Sequence, residues 1–164
     1  MKTKRIATIG LLIALAMILS YVESLFPVFF AVPGMKLGLT NLVVITALYL
    51  LKPSDAFLIN IVRIVLVAFT FGNMFAMLYS LAGGMLSFLV MYLLKKSDRF
   101  GSVGISTAGG VAHNLGQIIV AMLVLETKEL IYYFPVLCIT GVAAGLVIGL
   151  IGGEVVKRLP KNTN

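Results

Sequence analysis

Charge is missing from long stretches of this chain. Residues 6–22, 37–51, 64–94, 100–125 and 130–153 contain no Asp, Glu, Lys or Arg. About 20 mostly apolar residues cross the hydrocarbon core of a bilayer, so 64–94 is too long for one ordinary helix. Gly72 and Asn73 supply a turn inside it. The pattern predicts six helices, over about 4–26, 37–52, 54–71, 74–94, 104–125 and 130–157. The expected fold class is an all-α membrane protein, one transmembrane domain over 1–164 built as a six-helix bundle. The first segment begins like a signal peptide, with Lys2, Lys4 and Arg5 before an apolar run. That run is longer than the usual h-region of about 7–15 residues, and no small-x-small cleavage site follows Ser20, so it reads as a signal anchor.

Six helices put both termini on one side of the membrane. With the termini inside, inner segments hold ten of the thirteen basic residues: Lys2, Lys4, Arg5, Lys52, Lys95, Lys96, Arg99, Lys157, Arg158 and Lys161. Outer segments hold only Lys36 and Lys128. This satisfies the positive-inside rule and predicts cytoplasmic N- and C-termini. It also disposes of a nucleic-acid reading of the net charge of +7, because the basic clusters flank apolar runs and build no extended basic face. With 60% apolar and 12% charged residues, against about 45–50% and 25% in soluble domains, the chain could not cover a surface in water. Its one cysteine, Cys138, excludes a disulfide scaffold.

Small residues recur on three helices. Gly141, Gly145, Gly149 and Gly153 form a face on the last helix. Gly104, Ala108, Ala112 and Gly116 form a strip on the fifth. The first carries Gly10-xxx-Ala14 and Ala16-xxx-Ser20. Such faces let membrane helices approach closely. They serve either packing within the bundle or docking of a partner subunit.

Polar residues inside apolar helices are costly and mark candidate chemistry. Arg63 falls near the middle of the third helix, with Asn60 one turn away. Nothing in that helix neutralises it, so its partner comes from another helix, water or a ligand: it is either a structural arginine bonded to backbone carbonyls or a cavity residue. His113, Asn114 and Gln117 cluster on the fifth helix, with His113 and Gln117 on one face. They serve either interhelical hydrogen bonds or ligand contact. A single histidine without other ligands at suitable spacing makes no metal site. Glu23, Thr40, Asn41 and Lys36 lie toward the outside. The connector 24–36, with Phe26, Phe29, Phe30, Pro27, Pro33 and Gly34, is too apolar for a solvated loop and reads as a lid. The expectation is a polar cavity open outward, with a cationic bias from Arg63 and Lys36 that suits an anionic group on the ligand. Catalytic machinery is not expected. The sequence has no GxxxxGK[ST] loop, no Asp-rich pair for Mg²⁺ (Asp55 and Asp98 are the only aspartates), and no GxSxG elbow. No cofactor is expected either.

The segment Leu37-Gly-Leu-Thr-Asn-Leu-Val-Val-Ile-Thr-Ala-Leu-Tyr-Leu-Leu51, with Ser80-Leu-Ala-Gly-Gly-Met-Leu-Ser87 and Gly110-Val-Ala-His-Asn-Leu-Gly-Gln117, resembles the Gx transporter family, often labelled heptaprenyl diphosphate synthase component I. That family is similar to the substrate-binding S components of energy-coupling factor transporters. The resemblance implies a multi-pass protein of the bacterial plasma membrane that captures a small molecule from outside. It implies closure of a loop after the first helix, and partnership with a transmembrane coupling subunit and two ATPase subunits. An Ala-xxx-Ala pattern on the first helix of S components contacts the coupling subunit; Gly10/Ala14 and Ala16/Ser20 are the nearest equivalents here. The competing expectation takes the label literally, as a non-catalytic membrane subunit of a prenyl diphosphate synthase. A small channel or scaffold is a third reading, at odds with Arg63 and the lid-like connector.

Overall fold

A computed structural model describes residues 2–25 and 38–159. Among these, the chain forms α1 (Lys2–Leu25), α2 (Asn41–Leu50), α3 (Pro53–Phe71), α4 (Met74–Lys96), α5 (Ser102–Val124) and α6 (Phe134–Arg158), with a 3-10 helix over Lys128–Tyr133 leading into α6. No strand occurs among the described residues. The α3–α4 break falls at Gly72 and Asn73, where the Asn73 side chain accepts a 2.8 Å hydrogen bond from Ala76 N and caps α4.

Five of these helical stretches are long and apolar enough to cross a membrane: Thr3–Leu25, α3, α4, α5 and Lys128–Arg158. The expected second span over 37–52 shrinks to the ten residues of α2. At 1.5 Å per residue α2 reaches about 15 Å, half of a hydrocarbon core about 30 Å thick. Two local features set its ends. Gly38 turns the chain at φ +83°, a conformation open to glycine. Leu51 is extended before Pro53, which opens α3 where its missing N–H costs nothing.

Being apolar all round, α2 is buried all round. Val43, Val44, Ile45, Ala47 and Leu48 sit at the centre of the main core, packed with Ala16 of α1, Ile59 of α3, Met91 of α4, Ile105 of α5 and Ile148 of α6. The outer surface is apolar as well, with Leu11, Phe69, Leu123 and Ile139 each at least 70% exposed. Such a surface suits lipid.

One end of the bundle is basic. The starts of α1, α3 and α5 meet the ends of α2, α4 and α6 there. Arg5 makes a bidentate ion pair with Asp55, tying α1 to α3. Lys95 bonds the Leu48 carbonyl and lies over the Tyr49 ring, closing the end of α2. At the opposite end Lys128 is the one basic residue among those described.

Glycines bring α6 onto α5 and α5 onto α4, which are the most extensive helix contacts. Gly141 faces Gly110 and Asn114, Gly145 faces Ser106 and Thr107, and Gly149 faces Val103 and Ser106. The α6 glycine face is therefore filled by α5. The face of α5 that fills it is not the Gly104–Gly116 strip. Gly104 is exposed, and Gly116 packs on Ala82 and Gly83 of α4.

Candidate functional site

Arg63 stands 10 residues into α3, about 15 Å from its basic-end start, which is mid-depth for a spanning helix. It is only 6% exposed. A buried guanidinium must be met by acceptors, and its own helix and the start of α2 supply them. Nε and Nη2 donate to Asn60 Oδ1 at 3.2 and 2.9 Å, and Nη2 to Asn41 Oδ1 at 3.4 Å. Asn60 in turn donates from Nδ2 to the Gly84 carbonyl at 3.0 Å. Because α2 is only half-length, Asn41 at its start reaches the level of Arg63. None of these bonds uses Nη1.

Counter-charge comes from α1. Glu23 is 5% exposed and its charge acts on the Arg63 guanidinium. Glu23 Oε1 accepts a 2.6 Å hydrogen bond from Gly38 N, which fastens the end of α1 to the chain entering α2. Ser20, Glu23, Gly38, Thr40, Arg63, Ser80 and His113 line one cleft, with Ile64, Val67, Ala68 and Met77 forming an apolar wall. Its volume is about 20 Å³, close to what one water occupies. A small molecule would enter only after the walls part.

A pair of consecutive glycines on α4 sets the other side. Gly84 lets α3 approach, its missing side chain replaced by Ile64 and Asn60. Gly83 does the same for α5, where an added Cβ would meet the His113 carbonyl at 2.7 Å and Gln117 Cγ at 2.9 Å. Four side-chain atoms along this seam are buried without a hydrogen-bond partner: His113 Nδ1, both amide atoms of Gln117, and Ser87 Oγ. An unmet buried polar group costs about 1–3 kcal/mol, so this seam is poised for water or a ligand's polar groups.

The structure thus brings Glu23, Asn41, Asn60, Arg63 and His113 together. Asn114 turns the other way, donating to the Leu137 carbonyl at 2.7 Å and holding α6 to α5. Gln117 lies in the α4–α5 seam beside His113, off the cleft lining. Lys36 and the lid expected over 24–36 fall largely outside the described residues. Of the two residues behind the expected cationic bias, Arg63 lines the cleft together with Glu23, and Lys36 lies outside the described residues. The small-residue positions divide as well. Gly10 and Ala14 are exposed on the outer face of α1, and a Cβ at Gly10 would meet nothing within 4 Å. Ala16 and Ser20 turn inward, Ala16 into the core and Ser20 into the cleft, away from any partner outside. Gly141, Gly145 and Gly149 are covered by α5. Gly83, Gly84, Ser80 and Ser87 had no assigned role in the sequence reading; the signal was the double glycine between two serines, 80–87. No group of three His, Cys, Asp or Glu residues suited to a metal occurs among the described residues.

A family model described as heptaprenyl diphosphate synthase component I matches residues 12–155. No curated protein and no solved structure matches the chain.

Proposed function

This chain belongs to the heptaprenyl diphosphate synthase component I family, and from that premise we propose that it is the substrate-capturing membrane subunit of an uptake transporter of the energy-coupling factor type. The observation that carries this reading is Arg63: a charged side chain at mid-depth, facing a cleft between helices with one of its nitrogens unused. Charges inside membrane helices concentrate on solute pathways. The proposed orientation puts the basic end in the cytoplasm and the cleft on the outer half of the bundle. Without a nucleotide-binding loop the chain needs ATPases and a coupling subunit, and the exposed Gly10–Ala14 face of α1 is where we place the coupling subunit.

The family's description favours a second reading, a non-catalytic membrane subunit that supports a separate polyprenyl diphosphate synthase. One experiment separates the two. The tagged chain, purified in mild detergent from its native membrane, is expected to bring down a membrane coupling protein with two ATPases. Recovery of a soluble prenyltransferase in their place would refute transport and establish the synthase subunit.

A further inference from the structure

A second groove lies at the basic end, between the start of α5 and the end of α6. Ser102 and Val103 line it from α5, and Leu150, Ile151, Glu154 and Lys157 from α6. Its volume is about 300 Å³, at the lower end of small-ligand sites, which run from about 300 to 1,000 Å³. Among the described residues it shares none with the Arg63 cleft. Glycines set its two levels. A Cβ on Gly153 would stand 2.5 Å from Ser102 Oγ, and one on Gly149 would stand 2.6 Å from Val103 Cα. Ser102 therefore lies level with Glu154 and Lys157, and Val103 level with Leu150 and Ile151. From Gly149 to Lys157 the groove covers about 12 Å of the α6 axis, apolar toward the mid-bundle and charged toward the end. Leu150 and Ile151 belong to the exposed apolar surface, so the groove opens on the face that suits lipid. Lys157 donates to Glu154 Oε1 at 2.9 Å, an exposed pair that holds neither side chain firmly. An ammonium has three donors, so Lys157 can keep Glu154 and take a second acceptor, while the Ser102 hydroxyl can donate to the same group. Arg99 precedes Ser102 by three residues, and Arg158 follows Lys157. Lys52, Lys95 and Lys96 stand at the same end; beyond the Arg5–Asp55 pair, Asp98 and Glu154 are the acids described there. The charge around the groove is positive.

We propose that this groove is a binding site for an anionic phospholipid. The headgroup phosphate meets Lys157 Nζ and the Ser102 hydroxyl, and an acyl chain lies along Val103, Leu150 and Ile151. Basic pockets between membrane helices take acidic headgroups in this way. A free phosphate would fill only the Lys157 end and leave the apolar stretch uncovered. A zwitterionic lipid would bring an ammonium among cations that repel it. The occupant that answers both ends is a lipid with a net negative head, in the leaflet at the basic end. It bridges the start of α5 and the end of α6, adding to the packing that their glycines begin.

The test is native mass spectrometry of the full chain in neutral detergent, titrated with phosphatidylglycerol or with phosphatidylcholine of the same acyl chains. Phosphatidylglycerol is expected to be retained about tenfold more tightly than phosphatidylcholine, and a large excess of glycerol phosphate is expected not to displace it. Lys157→Glu, a change of two charges, is expected to abolish the preference. Lys157→Arg is expected to keep it, as is Lys128→Glu, the same charge change at the opposite end. Lys157 is exposed, so its variants are expected to fold, and melting without added lipid checks this. Equal retention of the two lipids overturns the proposal, as does a preference that survives Lys157→Glu or is lost equally in Lys128→Glu. Displacement by glycerol phosphate also overturns it, leaving a site for free anions. None of these outcomes depends on coupling subunits, so this inference and the transport reading fail separately.

Discussion

The pair Asn60 and Arg63 shows how a buried charge is made tolerable, and it separates structural from functional cost. Asn60 is fully buried and serves both the guanidinium and the Gly84 carbonyl. Asn60→Ala would leave a charged donor and a backbone acceptor unmet, and it is expected to lower stability by about 3 kcal/mol. Arg63→Leu removes the charge with its demand and is expected to cost less than Asn60→Ala, while abolishing ligand uptake. Reversible unfolding in detergent beside an uptake assay checks both halves; an Arg63→Leu protein that transports normally would make the arginine purely structural. Gln117 gives the converse case. Its amide has no partner, so Gln117→Met, similar in length, is expected to stabilise the unliganded protein by about 1 kcal/mol. A loss of stability would reveal an ordered water held by the amide. At this scale the sequence disclosed which residues are unusual but not which of them meet. Arg63 stands out in any apolar helix, whereas Glu23 looks like an interfacial carboxylate until Gly38 and the half-length α2 fold it back against the cleft.

At the scale of elements, the same residue type has opposite value on different helices. Gly145 has α5 backbone against it, with Ser106 O 2.8 Å from where a Cβ would stand. Backbone cannot rotate away as a side chain can, so Gly145→Ala is expected to cost about 1–3 kcal/mol by overpacking. Gly10→Ala, in open space on α1, is expected to stay within about 0.5 kcal/mol. Melting of the two variants side by side decides this, and equal losses would mean that α1 is also covered. The helix boundaries around Gly72–Asn73 were legible because a glycine and a capping asparagine interrupt an otherwise uniform apolar run. The length of α2 was not. An apolar stretch reads alike whether lipid or protein surrounds it, and 37–52 is apolar because it is the centre of the core. The partner face on α5 was equally hidden, since small residues occupy several of its faces and periodicity cannot choose among them.

For the whole molecule, the question is which way it sits in the membrane and, under the transport proposal, how a ligand would enter. The basic end collects Arg5, Lys52, Lys95, Lys96, Arg99, Lys157 and Arg158, while among the described residues Lys128 is the one basic group opposite. In the proposed orientation, drawn from the positive-inside bias, the α4–α5 turn would lie in the cytoplasm and the 3-10 helix outside, where exposed Tyr132 and Tyr133 suit the headgroup layer. A cysteine at Ser97 is expected to react with an impermeant maleimide only after cell lysis, and one at Glu126 in intact cells, in a background with Cys138→Ala. The reverse pattern would invert the topology and put the cleft on the cytoplasmic half. The cleft itself, at about 20 Å³, must widen for any ligand larger than water. The wall most free to move is α1. Its span is the least buried of the five, and its backbone packs closely on α3 and α2 rather than on the tightly packed α4–α6. Its polar fastenings include Arg5 to Asp55 at the basic end and Glu23 to Gly38 N at the other. Under the transport proposal, ligand entry that parts the cleft beside Ser20 and Glu23 while the Arg5–Asp55 pair persists would swing α1 about its basic end. Spin labels at Val22 and Phe71 are expected to separate on ligand binding, with those at Ile6 and Phe57 unchanged; equal displacement of both pairs would instead mean that α1 leaves the bundle as a rigid rod.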